Sequence, residues 1–189
     1  MAAPTPELRF ATDFDPQTGR PVPVAPGVVR VTAPNAGPYT FKGTNSFIIG
    51  AEAVAVLDPG PDDSDHLDAL LAAIGGRKVE AILLSHTHID HSALVPRLQA
   101  ATGAPVWSGG RHRLSRRRRP FELNPVGRDS DWRHRPDRVL RDNEHFVVGG
   151  VGLEAITTPG HCANHLSFGI PGTAWLFTGD HIMGWNSTL

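Results

Sequence analysis

The chain has 189 residues, enough for one domain with a hydrophobic core. Apolar residues make up 40 % and aromatics 7 %, which excludes an intrinsically disordered chain. The net charge of −1 excludes a general electrostatic attraction for nucleic acid or membrane surfaces.

Basic charge is carried almost wholly by arginine, with Lys42 and Lys78 the only lysines. Cys162 is the only cysteine, so no intrachain disulfide can form and a reducing compartment is expected. The opening "MAAPTPELRF" lacks a basic-then-apolar signal pattern, and no apolar run approaches the ~18 residues of a membrane span. A cytoplasmic protein with no membrane partner is the expectation.

In chain order, the prolines of residues 1–27 predict an extended arm before a domain over 28–189. "GVVRVTA", "NSFIIG" and "AVAVLDPG" are rich in β-branched residues and close on turn residues, so each predicts a strand. "DDSDHLDALLAAIG" spaces its apolar residues for a helix, with acids in the first turn and glycine at the end. "KVEAILLS" predicts a buried strand. "ALVPRLQAATG" predicts a helix that Pro96 kinks or delays, and "APVWSG" another strand. Residues 109–136 mix charge blocks, Gly and Pro without a period and predict a long surface loop or lid. The remaining chain reads as two strand pairs. Strands at both ends with helices between predict a mixed αβ layered fold, α/β or α+β in class.

The stretch "LLSHTHIDHSAL" carries the chemistry: His86, His88, Asp90 and His91 fall within six positions, directly after a strand. On nearly extended backbone, residues 86 and 88 point to the same side. Asp90 and His91, where the chain turns into a helix, face a second point nearby. Neutral imidazoles and carboxylates are ligands for divalent transition metals, and two ions ~3.5–4 Å apart suit this spacing better than one. A structural zinc site would bring cysteines. Downstream, His161 in "TTPGH" and Asp180 in "FTGD" also follow strands, where an open sheet presents ligands along one edge.

With these motifs in place, the sequence resembles the metallo-β-lactamase-fold hydrolase superfamily: "HTHIDH", "TPGH" and "TGD" are the metal motifs, and "VLDPG" with Asp58 is a supporting loop. "GTNSFIIG", "TPGHCANHLSF" and "TGDHIMGWNSTL" are most similar to its lactamase-B-like, endoribonuclease-related group. The resemblance implies an αββα sandwich with two zinc ions. It implies that His86, His88 and His161 hold one zinc, Asp90 and His91 the other, and that Asp180 bridges them. It further implies a bridging hydroxide that attacks the scissile bond, Asp90 as the catalytic carboxylate, and Asp58 behind the ligands. His165 is a candidate for substrate contact or for orienting a ligand. His181 and Cys162 read as packing residues beside Asn164. Asn186, Ser187 and Thr188 are candidates to line the site.

The family pattern places one more metal-ligating histidine well beyond "TGD", and here only nine residues follow Asp180. The expectation is therefore an incomplete domain lacking its C-terminal part, with a missing segment or an oligomer completing the site. Three functions stay open. The first is phosphodiester hydrolysis, with single-stranded RNA as substrate, for which the six arginines of "RHRLSRRRRP" would neutralise phosphates and Phe121 or Trp132 would stack on bases. Because arginine is common throughout the chain, the favoured reading of that run is a solvated mobile loop. The second is hydrolysis of a small ester, thioester or lactam. The third is a catalytically impaired metal-binding fragment or interaction module.

Overall fold

A computed structural model describes residues 9–117, 119, 121–123 and 125–187. Four antiparallel strands open a seven-stranded sheet: β1 (Val22–Ala25), β2 (Val28–Thr32), β3 (Asn45–Ile49) and β4 (Ala53–Leu57). Helix α1 (Ser64–Ile74) then crosses over, so β5 (Lys78–Leu83) lies parallel to β4. The short helix α2 (Ile89–Ser92) and helix α3 (Val95–Thr102) lead to β6 (Val106–Ser108), and β7 (Arg138–Val139) ends the sheet, both parallel to their neighbours. A second sheet of four antiparallel strands is formed by β8 (Glu144–Val148), β9 (Val151–Thr157), β10 (Leu166–Gly169) and β11 (Leu176–Phe177), in the order β11-β10-β9-β8.

The strand alternation divides the core in two. On β4, Val54 and Val56 face the helices with Leu70 and Leu98, while Ala55 and Leu57 face the second sheet with Phe146 and Phe168. Two buried layers therefore hold the large sheet from both sides, which fixes its register. Val147, on the other face of β8, is 68 % exposed. Helices on one face and a second sheet on the other give three layers of the expected sandwich. No helix covers the outer face of the second sheet among the described residues.

Local chemistry explains the helix ends. Asp63 caps α1 by accepting from the backbone N–H of His66 at 2.8 Å, and Gly75 closes it in the left-handed region. The helix expected from Ala93 begins at Val95, with Pro96 unkinked in its first turn, where its missing N–H has no helical partner to lose. The arm expected over residues 1–27 gives way at Val22 to β1, which pairs with β2. The long segment at 109–136 is not merely a surface loop. Its end is pinned to the histidine motif: Ile89 N donates to Asp129 O at 2.9 Å, and Asp131 N to Thr87 O at 2.8 Å. No helix among the described residues is long and apolar enough to cross a membrane.

Candidate metal centre

β5 delivers the chain from the buried core directly into the site, and backbone still extended at His88 (φ −77°, ψ 147°) turns into α2. His86 and His88 thus share a side. His86 Nε2 lies 3.1 Å from His88 Nδ1, and His161, from the loop after β9, brings its Nε2 to 2.9 Å from the same atom. Asp180 follows β11. Gly179 before it has φ +49° and packs so tightly that a Cβ would come within 2.8 Å of Ser85 and of His165 Nε2. Glycine is therefore needed there to bring Asp180 in. The Asp180 carboxylate then stands 3.4 Å from His91 Nε2, 3.5 Å from His161 Nε2 and 4.0 Å from His86 Nε2. Two clusters result: His86, His88 and His161, and His86, His91 and Asp180, each with ligand atoms within 4.8 Å of one another.

Asp58 organises this centre from beneath. It is buried and adopts φ +51°, a strained conformation for a non-glycine residue, and its carboxylate is saturated with donors. Oδ1 accepts from Ser85 N at 2.7 Å, and Oδ2 accepts from Ser85 Oγ at 2.6 Å and faces His91 Nδ1 at 3.0 Å. Ser85 Oγ is also 3.0 Å from His86 Nδ1. The outer nitrogens of His86 and His91 are thereby occupied, which leaves Nε2 of each ring turned inward. Asp90 belongs to neither cluster. Its Oδ2 lies 3.4 Å from His91 Nε2 and accepts from Thr44 Oγ1 at 3.3 Å.

The electrostatics differ across the centre. Burial and the neighbouring imidazoles push His86 well below the usual histidine value, and burial with His161 pushes His88 down to about 4. These rings are neutral near pH 7, the form that ligates metal. Burial also works on Asp90, but His91 outweighs it and holds the carboxyl down to about 2; Asp180 is lowered by the same neighbour. Burial disfavours charge on His91, yet Asp90, Asp180 and Asp58 raise it well above the usual value. Three carboxylates around one buried ring make a place that demands positive charge.

Those features fit a metal ion. Imidazole nitrogens bound to one tetrahedral zinc at ~2.0–2.1 Å lie roughly 3.3 Å apart, close to the 2.9 and 3.1 Å found here. Protons alone satisfy three facing ring nitrogens poorly, whereas one cation satisfies all three. Nitrogen and carboxylate donors without thiolate suit a borderline divalent ion.

Other residues singled out from the sequence fall around this centre. His165 is buried, with Nδ1 2.8 Å from Thr158 Oγ1 and its ring stacked on His86 at 5.0 Å, and it is not among the residues lining the cavity beside the centre. Buried Cys162 sets Sγ 2.9 Å from Asn164 Oδ1, and Asn164 Nδ2 donates to Thr87 Oγ1 at 3.0 Å and to Gly110 O at 2.9 Å. His181 lies beside His165, ring centres 6.0 Å apart. Asn186 caps its own turn by accepting from Ser187 N, and neither lines the cavity beside the centre; Thr188 lies outside the described residues. Sequence reasoning missed Thr44, Ser85 and Trp185. Ser85 alone had a signal, as the residue that opens the histidine motif.

The chain belongs to the metallo-beta-lactamase superfamily, whose family model matches residues 39–187. It is 32 % identical over 168 residues to the lactamase-like protein ptaB of Pestalotiopsis fici, covering 85 % of this chain and 46 % of that protein. It is 30 % identical over 173 residues to the atrochrysone carboxyl ACP thioesterase of Aspergillus fumigatus, covering 87 % and 48 %. The crystal structure of a metallo-beta-lactamase family protein from Thermus thermophilus superimposes with a TM-score of 0.68 at 26 % identity, covering 88 % of this chain and 63 % of that one. The chain thus spans about half the length of the curated relatives it matches.

Proposed function

We propose that the chain carries the catalytic centre of a metal-dependent hydrolase that cleaves acyl bonds, with thioesters as the substrate class. The observation that carries this reading is the convergence of His86, His88 and His161 with His91 and Asp180. The first three would hold one ion, and Asp90, His91 and Asp180 a second, zinc being the expected element. Bound divalent ions supply a water made acidic near neutral pH and polarisation of the scissile carbonyl.

The chain's own residues do the rest. Asp58, through Ser85, fixes the ring of His86 and directly fixes that of His91. Asp90 stays ionised at neutral pH, and its Oδ2 is the proton acceptor beside the reacting carbonyl. Thr44 holds that oxygen in place.

Support for acyl over phosphodiester chemistry comes from two sides. One relative is named as a thioesterase, and the names of the relatives lend no support to the endoribonuclease-related grouping read from the sequence. In addition, no Arg or Lys is among the described residues lining the cavity beside the centre. In the arginine run, Arg116 is held by Glu122 at 2.5 and 2.9 Å, and Arg113 donates to the carbonyls of Gly109 and Ala163. Arg118 and Pro120 lie outside the described residues.

The test is a panel of thioesters, lactams and short single-stranded RNA, assayed on chelated protein before and after zinc is restored. Thioester hydrolysis that returns with zinc is expected. RNA cleavage without acyl hydrolysis would overturn the reading, and protein that retains no zinc would instead be a metal-free interaction module.

A further inference from the structure

One wall of the cavity beside Asp90, His91 and Asp180 is made of aromatic rings. Trp185 lines it, and Phe41 stacks on Trp185 with ring centres 5.0 Å apart and planes 11° from parallel. Phe41 is not among the lining residues; it backs the indole. Lys42 Nζ in turn lies 5.4 Å from the Phe41 ring and donates to Phe14 O at 2.5 Å. Phe47 and Phe177, which also line the cavity, meet edge to face at 5.0 Å.

This plate is held in place against a local cost. Phe41 adopts φ +52°, a region that bulky L side chains rarely enter, and such strain persists only where surrounding contacts over-determine it. Here they do. Gly37 N donates to Phe41 O at 3.0 Å, Asn35 Oδ1 accepts from Thr44 N at 2.9 Å, and Asn35 Nδ2 donates to Thr44 Oγ1 at 3.0 Å. Gly43 makes the turn at φ +119°, where a Cβ would overlap Ala33 O. The same Thr44 hydroxyl reaches Asp90. One loop, residues 35–44, therefore aims the aromatic plate and touches the carboxylate of the centre.

A flat indole face rewards a flat π surface beyond simple burial. No Lys or Arg is among the described lining residues, so away from the centre itself no cationic side chain faces the cavity to pair with a charge on the acyl group. The cavity measures about 210 Å³; an enclosed apolar cavity of roughly 150 Å³ accepts one benzene, so this one suits one or two rings.

We propose that Trp185, backed by Phe41, is the specificity-determining wall of an acyl subsite. It selects uncharged, flat, conjugated acyl groups of one or two fused rings over saturated groups of the same size. The inference rests on the acyl-hydrolase reading, and its test separates the two.

The zinc-loaded full chain is assayed with the 2-naphthoyl and decahydro-2-naphthoyl thioesters of N-acetylcysteamine. The expected kcat/KM ratio favours naphthoyl by about 10-fold. In Trp185→Leu that ratio falls to near one, chiefly through KM for the naphthoyl substrate, whereas Trp185→Phe keeps most of it. Equal rates for the two thioesters in the native protein, or an unchanged ratio in Trp185→Leu, would overturn the inference. If neither thioester is turned over, the acyl-hydrolase reading fails by itself. The subsite is then judged by equilibrium binding of the neutral 2-naphthamide against its decahydro analogue. Tighter naphthamide binding that Trp185→Leu abolishes supports the subsite, and equal binding sinks it.

Discussion

The two sides of the centre are built on different physical terms. His86, His88 and His161 meet ring nitrogen to ring nitrogen, and burial keeps His86 and His88 neutral. His91 and Asp180 meet as opposite charges, with Asp58 and Asp90 adding two further carboxylates around a single imidazole. The first side offers lone pairs in a fixed geometry. The second offers a charge deficit that a proton on His91 fills when no ion does. The lesson is that affinity on the first side rests on geometry, while on the second it rests on competition with protons.

Loss of a ring from the first side should have the largest effect. His88→Ala leaves its two facing nitrogens, on His86 and His161, without their shared neighbour. Zinc content and hydrolysis should fall together, by more than the ~10–100-fold typical when only a partner of a ligand is lost. Metal analysis alongside thioester turnover checks this, and full activity at normal zinc content would separate His88 from the site.

Asp58→Asn comes next. It keeps the shape, but its amide cannot accept from all the donors that Asp58 serves on Ser85 and His91. Zinc affinity should drop about 10–100-fold, measured by competition with a chelator. An unchanged affinity would mean that the ring orientations are fixed without this carboxylate.

The third prediction concerns acid stability of metal-free protein. His88 has its folded value pushed to about 4, below its ordinary 6.5. The unfolded chain therefore takes up this proton first as pH falls, and stability contributed above pH 6.5 is lost between 6.5 and 4. His91 has the opposite sign: its raised value adds stability at low pH that is lost as pH climbs through it. His88→Gln should therefore flatten the acid limb of a denaturant-based stability profile, by at most about 3 kcal/mol across that window. A limb of unchanged slope would show that His88 titrates normally.

The smallest effect is expected farthest from both sides. Arg116→Ser removes an exposed pair with Glu122 and should leave zinc content, thioester turnover and Tm unchanged within error, because solvent screens such pairs. A large loss of turnover would bring the arginine run back into the site.

Much of this was legible in the sequence because the signal was local. A period of two at the end of β5 placed His86 and His88 together, and strand-end turns announced His161 and Asp180. The α1 helix showed in its capping aspartate, apolar spacing and final glycine. Contacts made by chain closure left no such trace. Thr44 reaches Asp90 across 46 positions through a side chain that looked like any strand-edge threonine. The end of the 109–136 segment pairs with His88 and its neighbours through backbone groups, which every residue carries, so composition showed only an open loop. His66 stands among the acidic residues at the start of α1 and has nothing in its local sequence to mark it. It is fully buried, 2.9 Å from Ser46 Oγ and packed under Gly60, next to the Asp58 turn.

Anomalous diffraction at the zinc edge, from crystals grown with zinc, tests the central claim most directly. The account predicts a peak ~2.0–2.2 Å from each of His86 Nε2, His88 Nδ1 and His161 Nε2. Well-ordered rings in the arrangement described here with no peak between them, or zinc bound only elsewhere on the chain, would contradict it.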